Sequence, residues 1–284
     1  MTTVLNNNDP LDLSIIIPFK DKPELTIPCI KSFYEYGPAV KEVILLSNNS
    51  NQESYDVVKQ AIVHHANAQL LKHDVAFNFQ EINNWTIKKS TGKVVMMLNN
   101  DIELTPESKG LLEEMYVRAL MPEVGAVGCV LLYEDRRTIQ HAGVYLVPGQ
   151  TADALYVGQS YSKILKRIKD KKAPFDITKT IEVNAVTAAA VMIERKKFDA
   201  VKGMDESFII CGGDVDICLR LNEKGYRSEL VGSDHGYMLH KESKSRSMLA
   251  VPYVDFYRSY ESYINHFDIE KGDPYMPWKK VKEI

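Results

Sequence analysis

The chain has 284 residues, of which 45% are hydrophobic and 26% charged, and its formal net charge is −3. These values are ordinary for a folded protein, and the lack of an overall positive charge argues against nucleic acid as the main partner. The four cysteines form no CxxC pair, so we expect no disulfide framework, no structural zinc site and a reducing cytoplasmic environment. The start of the chain has no secretory-signal pattern, and no apolar run approaches the ~18 residues of a spanning helix. We therefore expect a protein that is soluble or only peripherally bound to a membrane.

Strands and helices are predicted to alternate along the first hundred residues. Apolar runs predict strands at residues 13–18, 43–46, 69–72 and 94–98. Helical apolar spacing predicts helices at residues 24–36, 55–65 and 81–90. This alternation is typical of βαβ units. We therefore predict an α/β fold with a mostly parallel central sheet flanked by helices.

Polar or turn-forming residues follow three of these strands where each strand ends. They are Pro18, Lys20 and Asp21, then Ser47, Asn48 and Asn49, then Asn99, Asn100 and Asp101. Each cluster alone predicts a turn or a helix cap, because Asn and Asp favour both. Ligands of open α/β sheets, however, bind at the carboxyl ends of the strands, so three such clusters predict a shared pocket. The chain has no GxGxxG after its first strand and no GxxxxGK[ST], which argues against a Rossmann dehydrogenase or a P-loop NTPase.

The second half is predicted to add a strand at residues 124–132, a core segment at 183–193 and an amphipathic helix at 214–224. Residues 150–180 have weak periodicity and are predicted to form an excursion from the core. Within them, residues 163–172 contain six basic residues and one acid. A solvated helix face is the simple interpretation, and contact with an anionic membrane surface or a phosphorylated acceptor is the alternative.

Two acids and one histidine in the second half are candidates for chemistry. Asp214 and Asp216 follow two glycines at the start of a predicted helix, where carboxylates act as helix caps. Near a pocket, one of them can instead be a general base for a hydroxyl nucleophile. His240 follows a predicted strand at 237–239 and is either structural or, with one carboxylate, a ligand of a diphosphate-bound divalent ion. The basic residues that follow it can then meet phosphate charge; they are Lys241, Lys244 and Arg246.

Taken in chain order, these segments resemble the family 2 nucleotide-sugar glycosyltransferases, which have the GT-A fold. The resemblance covers nearly the whole chain and rests on the blocks LSIIIPFKD, VILLSNNS, FNFQEINNWTIKKSTGKVVMMLNNDIEL, TIQHAGV, VTAAAVMIERKKFDAVKGMDESF and GGDVDICLRLNEKGY. It implies one GT-A domain. Its nucleotide-sugar-binding half would span about residues 12–104, its smaller acceptor-binding half about 105–250, and a helical tail about 251–284.

The resemblance also implies roles for individual residues. Asp214 would be the catalytic base and Asp216 an acceptor ligand. Asp101, the last acid of a DxD-type motif, and His240 would bind Mn2+ or Mg2+. Asn99 occupies the first position of that motif, so this copy offers one carboxylate instead of two. The implied contacts to the nucleotide-sugar are Pro18, Lys20, Asp21, Ser47, Asn48, Asn49, Asn84, Lys88, Asn99, Asn100 and Asp101.

The implied reaction inverts the anomeric centre. A hexosyl, N-acetylhexosaminyl or rhamnosyl group would pass from a UDP- or dTDP-sugar to a hydroxyl of a glycan or lipid-diphosphate-linked acceptor. Bacterial members of this kind build O-antigen, capsule or other surface polysaccharides, in the cytoplasm or at the cytoplasmic face of the inner membrane. Two alternatives stay open. A sugar-phosphate nucleotidyltransferase should carry a Gly-rich basic loop after its first strand, where this chain has PFKDKPEL, and a non-catalytic carbohydrate-binding relative should not need the candidates at 101, 214 and 240.

Overall fold

A computed structural model describes residues 9–146, 152–241 and 252–266. The strands are β1 Leu11–Phe19, β2 Val40–Ser47, β3 Ala68–Lys72, β4 Val94–Leu98, β5 Ile102–Glu103, β6 Val124–Cys129, β7 Leu131–Tyr133, β8 Ile139–His141, β9 Val144–Leu146, β10 Ala152–Ala154, β11 Ile181–Val183, β12 Ala190–Glu194, β13 Arg227–Val231 and β14 Met238–His240. The helices are α1 Pro23–Tyr36, α2 Gln52–Ile62, α3 Phe79–Ile87, α4 Leu111–Ala119, α5 Tyr161–Lys169, α6 Arg195–Ala200, α7 Gly213–Glu223 and α8 Tyr253–His266. No helix in the described ranges combines the length and apolar character needed to cross a membrane.

The central sheet has eight strands in the order β11-β13-β6-β12-β4-β1-β2-β3. Strand β1 lies between β2 and β4 and is parallel to both, β2 is parallel to β3, and β13 is parallel to β6. Strand β12 is antiparallel to β4 and β6, and β11 is antiparallel to β13. The predicted α/β fold with a mostly parallel sheet is confirmed. Strands from both predicted halves of the chain take part in this one sheet.

A smaller sheet of four strands has the order β5-β14-β7-β8. The prediction of a single strand at 124–132 was wrong. This segment is divided between β6 in the central sheet and β7 in the smaller sheet. Residues 183–193, predicted as one core segment, are likewise two strands, β11 and β12, which belong to different places in the large sheet. The loop between them, residues 184–189, lies beside the candidate site described below.

Both faces of the large sheet are buried, which explains the unbroken apolar runs of the sequence. On β4, Met96 and Leu98 pack into one hydrophobic cluster and Val95 and Met97 into the other. Helices α1 and α4 contribute to the first cluster, and helices α3, α6 and α7 contribute to the second. Because β1 is parallel to both β2 and β4, the carboxyl ends of these three strands lie at the same edge of the sheet.

A fully buried lysine in helix α6 joins that helix to the chain between α4 and β6. The Lys197 ammonium donates hydrogen bonds to the carbonyls of Ala119, Met121 and Val124 at 2.6–2.8 Å, and it lies 3.1 Å from Glu194 Oε2. Burial lowers the pKa of Lys197, and the neighbouring Glu194 carboxylate opposes this shift. These contacts make Lys197 a structural residue.

Replacing Lys197 with Met is expected to lower the free energy of unfolding by about 3–5 kcal/mol, because it leaves three carbonyls without a donor and removes the buried one of the two lysines beside Glu194. Urea denaturation measures this loss. Lys196→Met is the matched control, since the Lys196 side chain is 69% exposed and also lies 3.1 Å from Glu194. It should cost less than about 1 kcal/mol. Equal losses in the two variants would contradict the structural role of Lys197.

Candidate active site

The first two polar clusters meet at the carboxyl ends of β1 and β2. Phe19 pairs with Ser47 in parallel register, and the backbone N–H of Asn48 donates to the Phe19 carbonyl at 3.0 Å. Asp21 Oδ1 accepts hydrogen bonds of 2.8 Å from both the backbone N–H and the side-chain amide of Asn51. The loop after β1 is therefore fastened to the loop after β2.

Two polar side chains at the end of β2 are buried and incompletely satisfied. Ser47 Oγ and Asn48 Oδ1 have no hydrogen-bond partner within the described part of the chain. The Asn48 amide nitrogen does have partners, the carbonyls of His73 and Val75. A buried polar atom without a partner costs about 1–3 kcal/mol, so such atoms need an explanation such as a bound ligand.

The remaining residues of these two clusters lie nearer the surface. Pro18 and Asp21 are partly buried, whereas Lys20 and Asn49 are exposed. The Asn49 side chain donates to the Val75 carbonyl, so this amide shapes the loop.

The third cluster forms the turn between β4 and β5. The Asn99 N–H donates to the Ala189 carbonyl at 2.9 Å, and the Asn100 side chain donates to Thr26 Oγ1 at 2.9 Å. Asp101 is 4% exposed. The Asn99 backbone and the Asn100 side chain thus fix the turn, and Asp101 is its one carboxylate.

Asp101 and His240 lie side by side because β5 pairs with β14, with Ile102 opposite His240. His240 Nε2 is 3.3 Å from Asp101 Oδ1. Asp101 Oδ1 and His240 Nδ1 are buried, and neither makes a hydrogen bond to any residue that the structure describes. The next residue, Lys241, pairs with Glu103 at 2.5 Å. Lys244 and Arg246, the other predicted phosphate contacts after His240, lie outside the described residues.

Asp101 and His240 suit a divalent metal ion in donor type, because Mn2+ and Mg2+ accept carboxylate oxygens and Mn2+ also accepts imidazole nitrogen. Across residues 9–146, 152–241 and 252–266, no group of three or more His, Cys, Asp and Glu side chains is placed to hold a metal. Two protein ligands fit an ion that takes its remaining ligands from a diphosphate and water.

A third residue beside this pair, His141, was not singled out from the sequence. It is buried on β8, and its Nε2 accepts the Gly143 N–H at 3.2 Å and faces the Thr187 N–H at 3.4 Å. Burial, together with the charge of the nearby His240, lowers the pKa of His141 to about 3. His141 is therefore neutral and holds the loop at Thr187. The block TIQHAGV contained it, but nothing in that block distinguished it.

Asp214 lies in the first turn of α7, on the other side of the same loop. Its Oδ2 accepts the Ala188 N–H at 3.3 Å, and its Oδ1 accepts the Val215 N–H at 2.9 Å. Residues 187–189 thus connect His141, the end of β4 and Asp214. Burial raises the pKa of the Asp214 carboxyl, and these N–H groups oppose the shift. A carboxylate with a raised pKa is a better proton acceptor.

Asp216 makes its contacts within the packing of α7 against α8. It is 3% exposed, and its oxygens accept hydrogen bonds from Arg220 Nε at 2.7 Å and Ser262 Oγ at 2.6 Å. Asp214 and Asp216 both line a cavity of about 200 Å³ between these helices.

The structure does not bring Asn84 and Lys88 to the other candidates. The Asn84 side chain is buried and bonded to Met204 and Glu206. Lys88 follows the end of α3, near Arg195, whose backbone N–H bonds to the carbonyl of Lys93 just before β4 begins. Asn84 and Lys88 both line a separate cavity of about 570 Å³. The first turn of α3 lies against the start of α7, where a Cβ on Gly213 would be 2.5 Å from Gln80 Cδ.

Two kinds of comparison with known sequences bear on this site. The family model described as glycosyl transferase family 2 matches residues 14–181. The O-antigen biosynthesis protein RfbC of Myxococcus xanthus is 37% identical over 268 residues, which are 93% of this chain and 20% of RfbC. The protein y4gI of Sinorhizobium fredii (strain NBRC 101917 / NGR234), described as uncharacterized, is 32% identical over 242 residues, 82% of this chain and 25% of y4gI. The chain thus spans about a fifth to a quarter of the length of these relatives.

Solved structures show a similar fold at low identity. The mannosyltransferase PcManGT from Pyrobaculum calidifontis, in complex with GDP-Man and Mn2+, has a TM-score of 0.56 and 14% identity over 92% of this chain and 63% of its own. GalNAc-T7, solved with UDP, GalNAc and Mn2+, has a TM-score of 0.62 and 14% identity over 82% of this chain and 44% of its own. At this identity the likeness shows the fold alone.

Proposed function

Because the chain belongs to glycosyl transferase family 2 and has the GT-A fold, we propose that it transfers a sugar from a nucleoside diphosphate to a hydroxyl group, with inversion of the anomeric centre. The observation that carries this proposal is the meeting of three features at one edge of the sheet. They are the unsatisfied polar atoms after β2, the Asp101–His240 pair, and Asp214 across the 187–189 loop.

The donor side of the proposed site is formed by the ends of β1 and β2. Ser47 Oγ can donate or accept a hydrogen bond, and Asn48 Oδ1 can accept one. Uracil and thymine offer an imide N–H between two carbonyls, which complements such a pair, so we favour a UDP- or dTDP-linked donor. Pro18, Lys20, Asp21 and Asn49 would border the nucleoside.

Asp101 and His240 are the proposed ligands of Mn2+ or Mg2+. A bound ion would offset the negative charge that develops on the leaving diphosphate. The Mn2+ in the two similar solved structures supports a divalent ion as the cofactor. The contacts of Asn99 and Asn100 hold the turn so that the buried Asp101 carboxylate stays beside His240.

Asp214 is the proposed general base. The acceptor oxygen forms a bond to the anomeric carbon on the face opposite the diphosphate, while the bond from that carbon to the diphosphate oxygen breaks and its electrons leave with the diphosphate. The acceptor proton passes to Asp214. Because both Asp216 oxygens are already bonded to Arg220 and Ser262, a direct contact from Asp216 to the acceptor would compete with those bonds.

The similarity to RfbC supports a place in bacterial surface-polysaccharide synthesis, with a glycan or lipid-diphosphate-linked glycan as the acceptor. We further propose that helix α5 contacts the cytoplasmic face of the inner membrane. Its buried Ile164 faces inward, whereas Lys163, Lys166 and Lys169 are exposed and can meet anionic lipid. The transferred group would be a hexosyl, N-acetylhexosaminyl or rhamnosyl unit.

Incubation with UDP-hexoses, UDP-N-acetylhexosamines and dTDP-rhamnose, with Mn2+ present, tests the proposed function. We expect at least one donor to raise the melting temperature and to release nucleoside diphosphate slowly to water. Release of pyrophosphate from a nucleoside triphosphate and a sugar phosphate would instead indicate a nucleotidyltransferase. A carbohydrate-binding relative would release neither product.

A further inference from the structure

Helix α8, which lies beyond the matched residues 14–181, binds the loop that leads into α7. The Asp255 carboxylate accepts three consecutive backbone N–H groups, from Ile209 at 2.7 Å, Ile210 at 2.7 Å and Cys211 at 2.9 Å. Asp255 is 1% exposed. Hydrogen bonds to a charged acceptor are roughly twice as strong as neutral ones, so this contact is a firm attachment.

The same loop is held from two further directions. The Phe79 N–H at the start of α3 donates to the Ile209 carbonyl at 2.7 Å. On the other side, Gly212 has a φ of 87°, and a Cβ there would lie 2.1 Å from Ser259 Oγ of α8. Only glycine fits this backbone conformation and this close approach. Since Asp214 is three residues beyond Cys211, its position depends on these attachments.

We propose that Asp255 is a positioning residue for sugar transfer: by binding the Ile209–Cys211 backbone it fixes the start of α7 and hence the Asp214 carboxylate. This inference rests on the proposed function, in which Asp214 accepts the proton. Ser262 of α8 supports the same arrangement through its 2.6 Å hydrogen bond to Asp216. The sequence gives no signal for this role, because Asp255 lies in an ordinary polar and aromatic segment.

Asp255→Asn tests the proposal, because the amide keeps the shape but replaces one acceptor oxygen with a donor that opposes the backbone N–H groups. The rate of nucleoside diphosphate release should fall about 10- to 100-fold, the loss expected when a reacting group is misplaced by about 1 Å. The KM of the donor and the affinity for UDP with Mn2+ should stay within about twofold. Hydrogen exchange should become faster at residues 209–211 and stay unchanged at residues 94–101.

Glu42→Gln is the matched control. Glu42 is also a buried carboxylate, 5% exposed, and it accepts the Thr91 N–H and the Ser14 hydroxyl at 2.6 Å each, near the start of β2. This variant should lower the melting temperature without changing the rate. Faster exchange at 209–211 with a full rate in Asp255→Asn would overturn the proposal, as would an equal rate loss in Glu42→Gln.

Ser262→Ala provides a second test if Asp255→Asn does not fold. It removes one hydroxyl and should lower the rate several-fold, with the donor KM unchanged, and a full rate would count against the proposal. The hydrogen-exchange measurement also separates the role of Asp255 in holding the loop from the role of Asp214 as the base. If Asp214→Asn keeps its activity, the proposed role of Asp214 as the general base fails, whereas exchange at 209–211 still reports whether Asp255 holds the loop.

Discussion

Asp214→Asn is expected to reduce sugar transfer by about 10³-fold or more, within the ~10²–10⁴ range of general base catalysis. The amide has nearly the same shape but cannot take the acceptor proton. The proposed donor and metal contacts lie at the carboxyl ends of β1, β2 and β4 and on β14, outside α7, so the affinity for UDP with Mn2+ should stay within about twofold. Steady-state kinetics and titration calorimetry on the same preparation measure the two effects.

Asp199→Asn is the control for this variant, because Asp199 is an exposed acid on α6. It should retain the full rate. The pH profile gives a further check, since Asp214 must be ionised to accept a proton and burial raises its pKa. Activity should therefore be lost, as the pH falls, at a higher pH than the ordinary aspartate pKa of about 3.9 would give. Unchanged turnover in Asp214→Asn would assign the base to another group.

Removal of divalent metal with EDTA is expected to abolish transfer, and added Mn2+ or Mg2+ should restore it. Asp101→Asn should weaken metal-dependent UDP binding about tenfold or more, because it removes the one carboxylate of the turn. The variant should fold normally, since Asp101 Oδ1 makes no hydrogen bond within the described residues. Calorimetry with UDP, with and without Mn2+, measures this independently of turnover.

Asn99→Asp tests the same metal site in the opposite direction. It restores a carboxylate at the first position of the motif, and the Asn99 contact to Ala189 uses the backbone N–H and so survives the change. We expect half-maximal activation at a lower Mn2+ concentration. Full activity after exhaustive chelation would show instead that the reaction at this turn is independent of metal.

Local patterns in the sequence were sufficient to predict most of the central sheet. The apolar runs at 13–18, 43–46 and 94–98 match β1, β2 and β4 because each strand is buried on both faces, and the helical spacing between them requires parallel crossovers. The polar residues after those strands were found for the same reason, since parallel strands end at one edge. The assignment of Asn84 and Lys88 came instead from the family resemblance. It implied that both contact the nucleotide-sugar, but the Asn84 side chain bonds to Met204 and Glu206.

Contacts between distant segments were decided by the tertiary structure. Asp101 meets His240 only because β5 pairs with β14, and His141 joins them only because β8 belongs to the same small sheet. Asp255 reaches the Ile209–Cys211 backbone only because α8 packs against α7. Periodicity along a chain reports which face of an element is buried, whereas strand order and helix packing depend on partners far away in sequence. The sequence by itself therefore determined the α/β fold and the family resemblance, and the tertiary structure decided which side chains share the site.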